Sequence, residues 1–124
     1  MKKVLVVEDN KDNLRLIAYA LQRAGYDVVS TETGEDGVLA AEREAPHFII
    51  MDINLPGIDG IETTRRIRQM PSTGRVPIIA ITSFAMSGDR ERILAAGCDG
   101  YLEKPIDPIR IVEQIDQILT RREP

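Results

Sequence analysis

Val4-Leu5-Val6-Val7-Glu8-Asp9-Asn10 sets four consecutive apolar residues against three polar ones. Four residues are too few for a helix, and apolarity that is continuous rather than alternating predicts a strand buried on both faces. The pattern recurs twice: Phe48-Ile49-Ile50-Met51 runs into Asp52, and Ile78-Ile79-Ala80-Ile81 runs into Thr82 and Ser83. Two weaker runs, Val28-Val29-Ser30-Thr31 and Gly100-Tyr101-Leu102-Glu103, mix polar and apolar residues as strands at the rims of a sheet do. Three central strands and two edge strands are therefore expected.

Between these runs the apolar residues take helical spacing. Leu14, Ile17, Ala18 and Leu21 form one stripe, Ile61, Thr64, Ile67 and Met70 a second, and Ile111, Ile115 and Ile118 a third, with Val112 and Leu119 beside it. A second helix around Val38, Ala41 and Ala45 and a fourth around Ile93, Leu94 and Ala96 are less periodic. Thr33 with Asp36, Asp59 with Glu62, and Asp107 before Pro108 read as helix N-caps. Gly25 and Gly97 each follow an alanine and suit the left-handed position just past a helix.

Five strand-then-helix units leave room only for short right-handed crossovers, so the strands should run parallel with helices on both faces. The expected fold is a doubly wound α/β domain, (βα)5 and flavodoxin-like, with a five-stranded sheet in the order 2-1-3-4-5. At 124 residues with 43% hydrophobic and 29% charged composition, residues 1–124 are read as one domain whose core needs no disulfide or structural metal.

Sixteen Lys and Arg against twenty Asp and Glu leave a net charge of −4, which offers no field for gathering nucleic acid. One cysteine, Cys98, and one histidine, His47, exclude an intramolecular disulfide and a Cys/His zinc site, and neither residue is given a role. No signal peptide or membrane span is expected, because the apolar run after Lys2 and Lys3 is only one strand long, and the cytoplasm is the expected location.

Ligands of an open parallel sheet bind beyond the carboxyl ends of its strands, most of all where the strand order reverses, here between strands one and three. Those ends carry Glu8 and Asp9, Asp52, Thr82 with Ser83, and Lys104 with Pro105. Three carboxylates brought together repel one another, and a divalent cation is the simplest way to keep all three ionised. Hard oxygen ligands point to Mg²⁺, held directly by Asp9 and Asp52, through water by Glu8, and by the backbone carbonyl of Asn54. Lys104 adds a cation for a phosphoryl oxygen and Thr82 a hydroxyl donor, which with an aspartate nucleophile are the parts for making an acyl phosphate.

With these motifs in place, the chain resembles the receiver domain of bacterial two-component response regulators over essentially its whole length. The motifs are Val4 to Asn10, Ile50-Met51-Asp52-Ile53-Asn54-Leu55-Pro56-Gly57, Thr82-Ser83-Phe84-Ala85-Met86 and Gly100-Tyr101-Leu102-Glu103-Lys104-Pro105. The resemblance implies that Asp52 is the phosphoacceptor, Glu8 and Asp9 the acidic pocket, Thr82 the switch hydroxyl, Lys104 the phosphate-contacting lysine and Tyr101 the switch aromatic. It also implies a cis Lys104–Pro105 bond. Phe84-Ala85-Met86-Ser87-Gly88-Asp89 looks most like single-domain regulators of the DivK type and the receivers of hybrid kinases. His47 departs from the acidic residue expected before strand three, and Ser83 stands where many members have alanine.

Each residue taken singly has a plainer reading. Asp9 and Asn10 could cap the next helix, Asp52 could close a turn, and Lys104 could be a surface lysine. Tyr101 could pack an edge strand with its hydroxyl in water. Arg65, Arg66, Arg68, Arg90 and Arg92 read as solvated helix faces, and Arg121 and Arg122 as a frayed basic tail.

The combined reading is a phosphoacceptor rather than a turnover enzyme. It is loaded by a histidine kinase or histidine phosphotransfer protein and signals through the face of helix four, strand five and helix five, or relays the phosphate onward. With no residues expected beyond the fifth helix for an effector module, the output would be protein binding, without nucleic acid or membrane. A magnesium-dependent phosphohydrolase of the haloacid-dehalogenase kind needs a second aspartate two residues past the nucleophile, where this chain has Asn54, which cannot shuttle a proton. A receiver-like adaptor that is never phosphorylated is the remaining alternative, and the complete set of Glu8, Asp9, Asp52, Thr82 and Lys104 argues against it.

Overall fold

A computed structural model describes residues 2–83 and 87–122. Phe84, Ala85 and Met86 of the third motif lie outside the described residues. The elements alternate in chain order: β1 (Lys3–Val7), α1 (Lys11–Arg23), β2 (Asp27–Thr31), α2 (Gly34–Glu44), β3 (Phe48–Asp52), α3 (Gly60–Gln69), β4 (Ile78–Thr82), α4 (Ser87–Ala96), β5 (Gly100–Glu103) and α5 (Ile111–Arg122). All four strand pairings are parallel and the order is β2-β1-β3-β4-β5, as the sequence predicts.

Strand periodicity divides the core in two. Val4, Val6, Phe48, Ile50, Ile79 and Ile81 point to one face and pack with Ile17, Leu21, Ile111, Ile115 and Ile118 from α1 and α5. Leu5, Val7, Ile49, Met51, Ile78 and Ala80 point to the other and meet Ala40, Ala41, Ile67 and Ile93 from α2, α3 and α4. Each such large side chain contributes about 2 kcal/mol by leaving water, which is why both faces of the central strands are apolar. β2 is only partly buried, as expected of an edge.

The caps fall where they are predicted. Thr33 Oγ1 accepts from Asp36 N–H at 3.1 Å, and Asp59 Oδ1 from Glu62 N–H at 2.8 Å. Asp107 Oδ1 accepts from Ile109 N–H at 2.9 Å, but the turn it caps precedes the regular part of α5. Gly25 and Gly97 have φ of 95° and 113°. Ala45 is not helical: it ends α2 in the left-handed region at φ 46°, where its N–H still bonds Ala41 O at 3.3 Å.

Three arginines correct the reading of solvated faces. Arg68 is half-buried and ties the end of α3 to its neighbours, donating to Val76 O at 2.5 Å, Gly97 O at 3.0 Å and Asp99 Oδ2 at 3.1 Å. Arg122 is not frayed: it bonds Asp99 Oδ1 at 2.9 Å and also the carbonyl of Arg75. Arg90 reaches Tyr101. A guanidinium has five donors, and buried carbonyls left open at element ends recruit them.

Gly60 makes the most demanding approach. A Cβ there would lie 2.2 Å from Asp52 O and 2.7 Å from Ile53 Cα, while Gly60 N–H bonds Ile53 O at 2.9 Å. The loop after β3 thus folds back onto the strand end that carries Asp52. Gly60→Ala is expected to cost about 3 kcal/mol, because backbone rather than a flexible side chain must yield. Urea denaturation checks this, and an unchanged midpoint would contradict the close approach.

Candidate functional site

β1, β3, β4 and β5 end side by side, so their terminal polar residues converge without any long loop. Glu8 N–H continues the ladder to Thr31 O at 3.0 Å, and Ile53 N–H does the same to Ile81 O at 3.1 Å. Glu8 and Asp52 are each 1% exposed and Thr82 is 3% exposed, whereas Asp9 faces solvent. Carboxylate oxygens of Glu8, Asp9 and Asp52 lie within 4.8 Å of one another.

Lys104 crosses from the end of β5 to this cluster. Its Nζ is 3.2 Å from Asp52 Oδ1 and 3.8 Å from Glu8 Oε1. Its backbone N–H bonds Thr82 O at 2.9 Å, which keeps the β4 and β5 ends together, and the Lys104–Pro105 peptide bond is cis. Asp52 Oδ1 also accepts from Asn54 N–H, and Glu8 Oε2 from Asn10 N–H, both at 3.2 Å. Asn10, not Asp9, caps α1, accepting from Asn13 N–H at 3.0 Å, so Asp9 is left for other work. A small cavity of about 110 Å³ lies beside the ends of β3 and β4, lined in part by Asn54, Asp59, Thr82 and Arg92.

One lysine does not balance two buried carboxylates. Burial, and then the neighbouring Asp52 carboxylate, push the Glu8 carboxyl up from 4.5 to about 8. Glu8 Oε1 is buried without a hydrogen bond. An orphaned carboxylate oxygen facing two further carboxylates is the donor set a small hard cation takes, so these residues fit Mg²⁺.

Without the cation, folded Glu8 keeps its proton between pH 4.5 and about 8 while the unfolded chain has lost it. The folded state then binds more protons, so this group lowers stability as pH rises through that window. In EDTA, Glu8→Gln is expected to show the smaller loss of stability over the same range, measured by urea denaturation. Parallel profiles for the two proteins would contradict it.

Tyr101, on β5, is half-buried against the α2/α3/α4 side of the core. Its hydroxyl accepts from Arg90 Nε at 3.0 Å, and the guanidinium carbon lies 5.6 Å from the ring centroid. Arg90 was not legible as a partner, because no spacing rule links a helix residue to the next strand. Cys98 is buried beside Thr64, with its thiol pushed up to about 11 by burial, and His47 Nδ1 accepts from Lys3 N–H at 3.1 Å. Among the described residues no helix is long and apolar enough to cross a membrane.

A parallel sheet of this order, with acids, a hydroxyl and a lysine at its carboxyl ends, is the arrangement of receiver domains. The family model of the response regulator receiver domain matches residues 4–116, and the chain belongs to that family. It is similar to the polar-differentiation response regulator DivK of Brucella ovis, 38% identical over 95% of this chain and 96% of that protein. Among solved structures it is similar to the chemotaxis response regulator CheY4 of Vibrio cholerae, at TM-score 0.90 and 27% identity over 95% and 98% of the two chains. It is also similar to the receiver domain of a Pseudomonas aeruginosa sensor histidine kinase with a magnesium ion coordinated in its active-site cleft, at TM-score 0.87 and 39% identity over 96% and 98%.

Proposed function

We propose that this receiver domain acts as a single-domain response regulator that accepts a phosphoryl group on Asp52 and signals by binding another protein or passing the phosphate on. The observation that carries the reading is the convergence of Lys104 Nζ on Asp52 Oδ1 at 3.2 Å within the three-carboxylate cluster. A carboxylate oxygen of Asp52 attacks the phosphorus of a phosphohistidine on a kinase or phosphotransfer protein. The P–N bond breaks, its electrons leave with the imidazole, and an acyl phosphate remains.

Glu8, Asp9 and Asp52, with the backbone carbonyl of Asn54, would hold Mg²⁺, which when bound offsets the charge that the phosphoryl oxygens bring to the acids. Lys104 exchanges its carboxylate partner for a phosphoryl oxygen, and the Thr82 hydroxyl donates to another. Asn54 in place of a second aspartate leaves no general base for rapid turnover, which favours a stored acyl phosphate over phosphohydrolase activity. Incubation with acetyl phosphate and magnesium, read by intact mass, is expected to show one stable phosphoryl adduct. Continuous phosphate release without an adduct would favour the hydrolase, and no reaction would favour an unphosphorylated adaptor.

Thr82 and Lys104 make contacts in the phosphorylated state that do not exist without it, and only such differential contacts shift a two-state equilibrium. Thr82→Ala or Lys104→Ala is expected to retain some phosphorylation while losing phosphorylation-dependent binding through the α4, β5 and α5 face. Pull-down with phosphorylated and unphosphorylated protein measures this. Phosphorylated Thr82→Ala binding as tightly as phosphorylated wild type would remove the hydroxyl from the switch.

A further inference from the structure

Arg90 makes two contacts to one side chain. From α4 its Nε donates to the Tyr101 hydroxyl at 3.0 Å, and its guanidinium carbon stands 5.6 Å from the centre of the same ring. Both contacts require Tyr101 in its present position, and rotating the ring away breaks the two together. Sheet register shows where the ring would go. Tyr101 pairs with Ala80, the small residue on its own face, and Thr82 is the next residue of β4 on that face. A ring turned along the sheet past Ala80 therefore comes towards the Thr82 side chain.

The geometry points to Arg90 as a latch: a positioning residue that holds Tyr101 away from Thr82 and so makes α4 set the resting population of the switch. This rests on the phosphoacceptor reading, for which Tyr101 and Thr82 are the moving parts. A hydrogen bond and a cation over a ring at an exposed site together bias the two positions by about three- to tenfold. Releasing the latch raises the population of the competent state by the same factor, and with it the rate of phosphorylation, as long as that state is the minor one.

The test uses the whole chain with labelled threonine methyl groups and aromatic rings. Without any phosphodonor, Arg90→Ala is expected to strengthen the nuclear Overhauser contact between the Tyr101 ring and the Thr82 methyl group. With acetyl phosphate and magnesium it is expected to label Asp52 about three- to tenfold faster than wild type. Arg90→Lys, which keeps the charge but not the planar donor, should fall between, and Arg65→Ala, an equal loss of charge on α3, should match wild type in both readouts. An unchanged Tyr101–Thr82 contact in Arg90→Ala overturns the latch, as does a stronger contact with an unchanged rate. If the wild type never labels, the phosphoacceptor reading fails while the Overhauser contact still decides whether Arg90 holds the ring.

Discussion

Asp52→Asn is expected to lower phosphorylation by acetyl phosphate to background, a loss of several orders of magnitude, while the protein remains folded. The substitution removes the nucleophile, since an amide oxygen does not form a stable acyl phosphate under these conditions. It also removes one of two buried carboxylates, each 1% exposed, that face each other across the end of the sheet. The neighbouring Glu8, pushed up to about 8 in part by Asp52, is then expected to titrate closer to 4.5. Stability should therefore rise rather than fall at neutral pH, which separates loss of chemistry from loss of fold. An Asn variant labelled at the wild-type rate would place the acceptor elsewhere.

Removing the cation is expected to have nearly as large an effect. In EDTA, Asp52 labelling should stop, because the phosphoryl oxygens would then approach three carboxylates that, among the described residues, have Lys104 as their ion-pair partner. Asp9→Ala should do the same in the presence of magnesium. Asp9 is the exposed member of the cluster and caps nothing, so its loss costs little stability. Its carboxylate is free to share an ion with solvent waters, and binding should accordingly be weak. Rapid labelling of Asp9→Ala in EDTA would contradict the proposed acidic pocket.

The parts of this molecule that were legible in the sequence are those that local physics determines. Four-residue apolar runs too short for helices gave β1, β3 and β4 to within a residue, and side-chain oxygens three residues ahead of an N–H gave the caps at Thr33 and Asp59. Once the strands were parallel and in order, the terminal residues Glu8, Asp52, Thr82 and Lys104 had to meet, so the site came with the topology. What stayed hidden depends on pairs distant in sequence. Arg68 and Asp99 are 31 residues apart, Arg122 and Asp99 are 23, and Arg90 and Tyr101 are 11. A charged residue on a helix reads as solvated unless the open carbonyls or the ring that it meets are already placed. Gly60 was hidden for the same reason: its constraint comes from the backbone of Asp52, eight residues earlier in the chain, and not from a turn signal of its own.

If Asp52 is the phosphoacceptor, the phosphoryl group resides there and nowhere else. Borohydride reduction of protein phosphorylated with acetyl phosphate and magnesium converts an aspartyl phosphate to homoserine, and peptide mass spectrometry locates it. Homoserine is expected at position 52 alone. Homoserine at position 9, 5-hydroxynorvaline at position 8, or a stable adduct that gives neither alcohol, would contradict it.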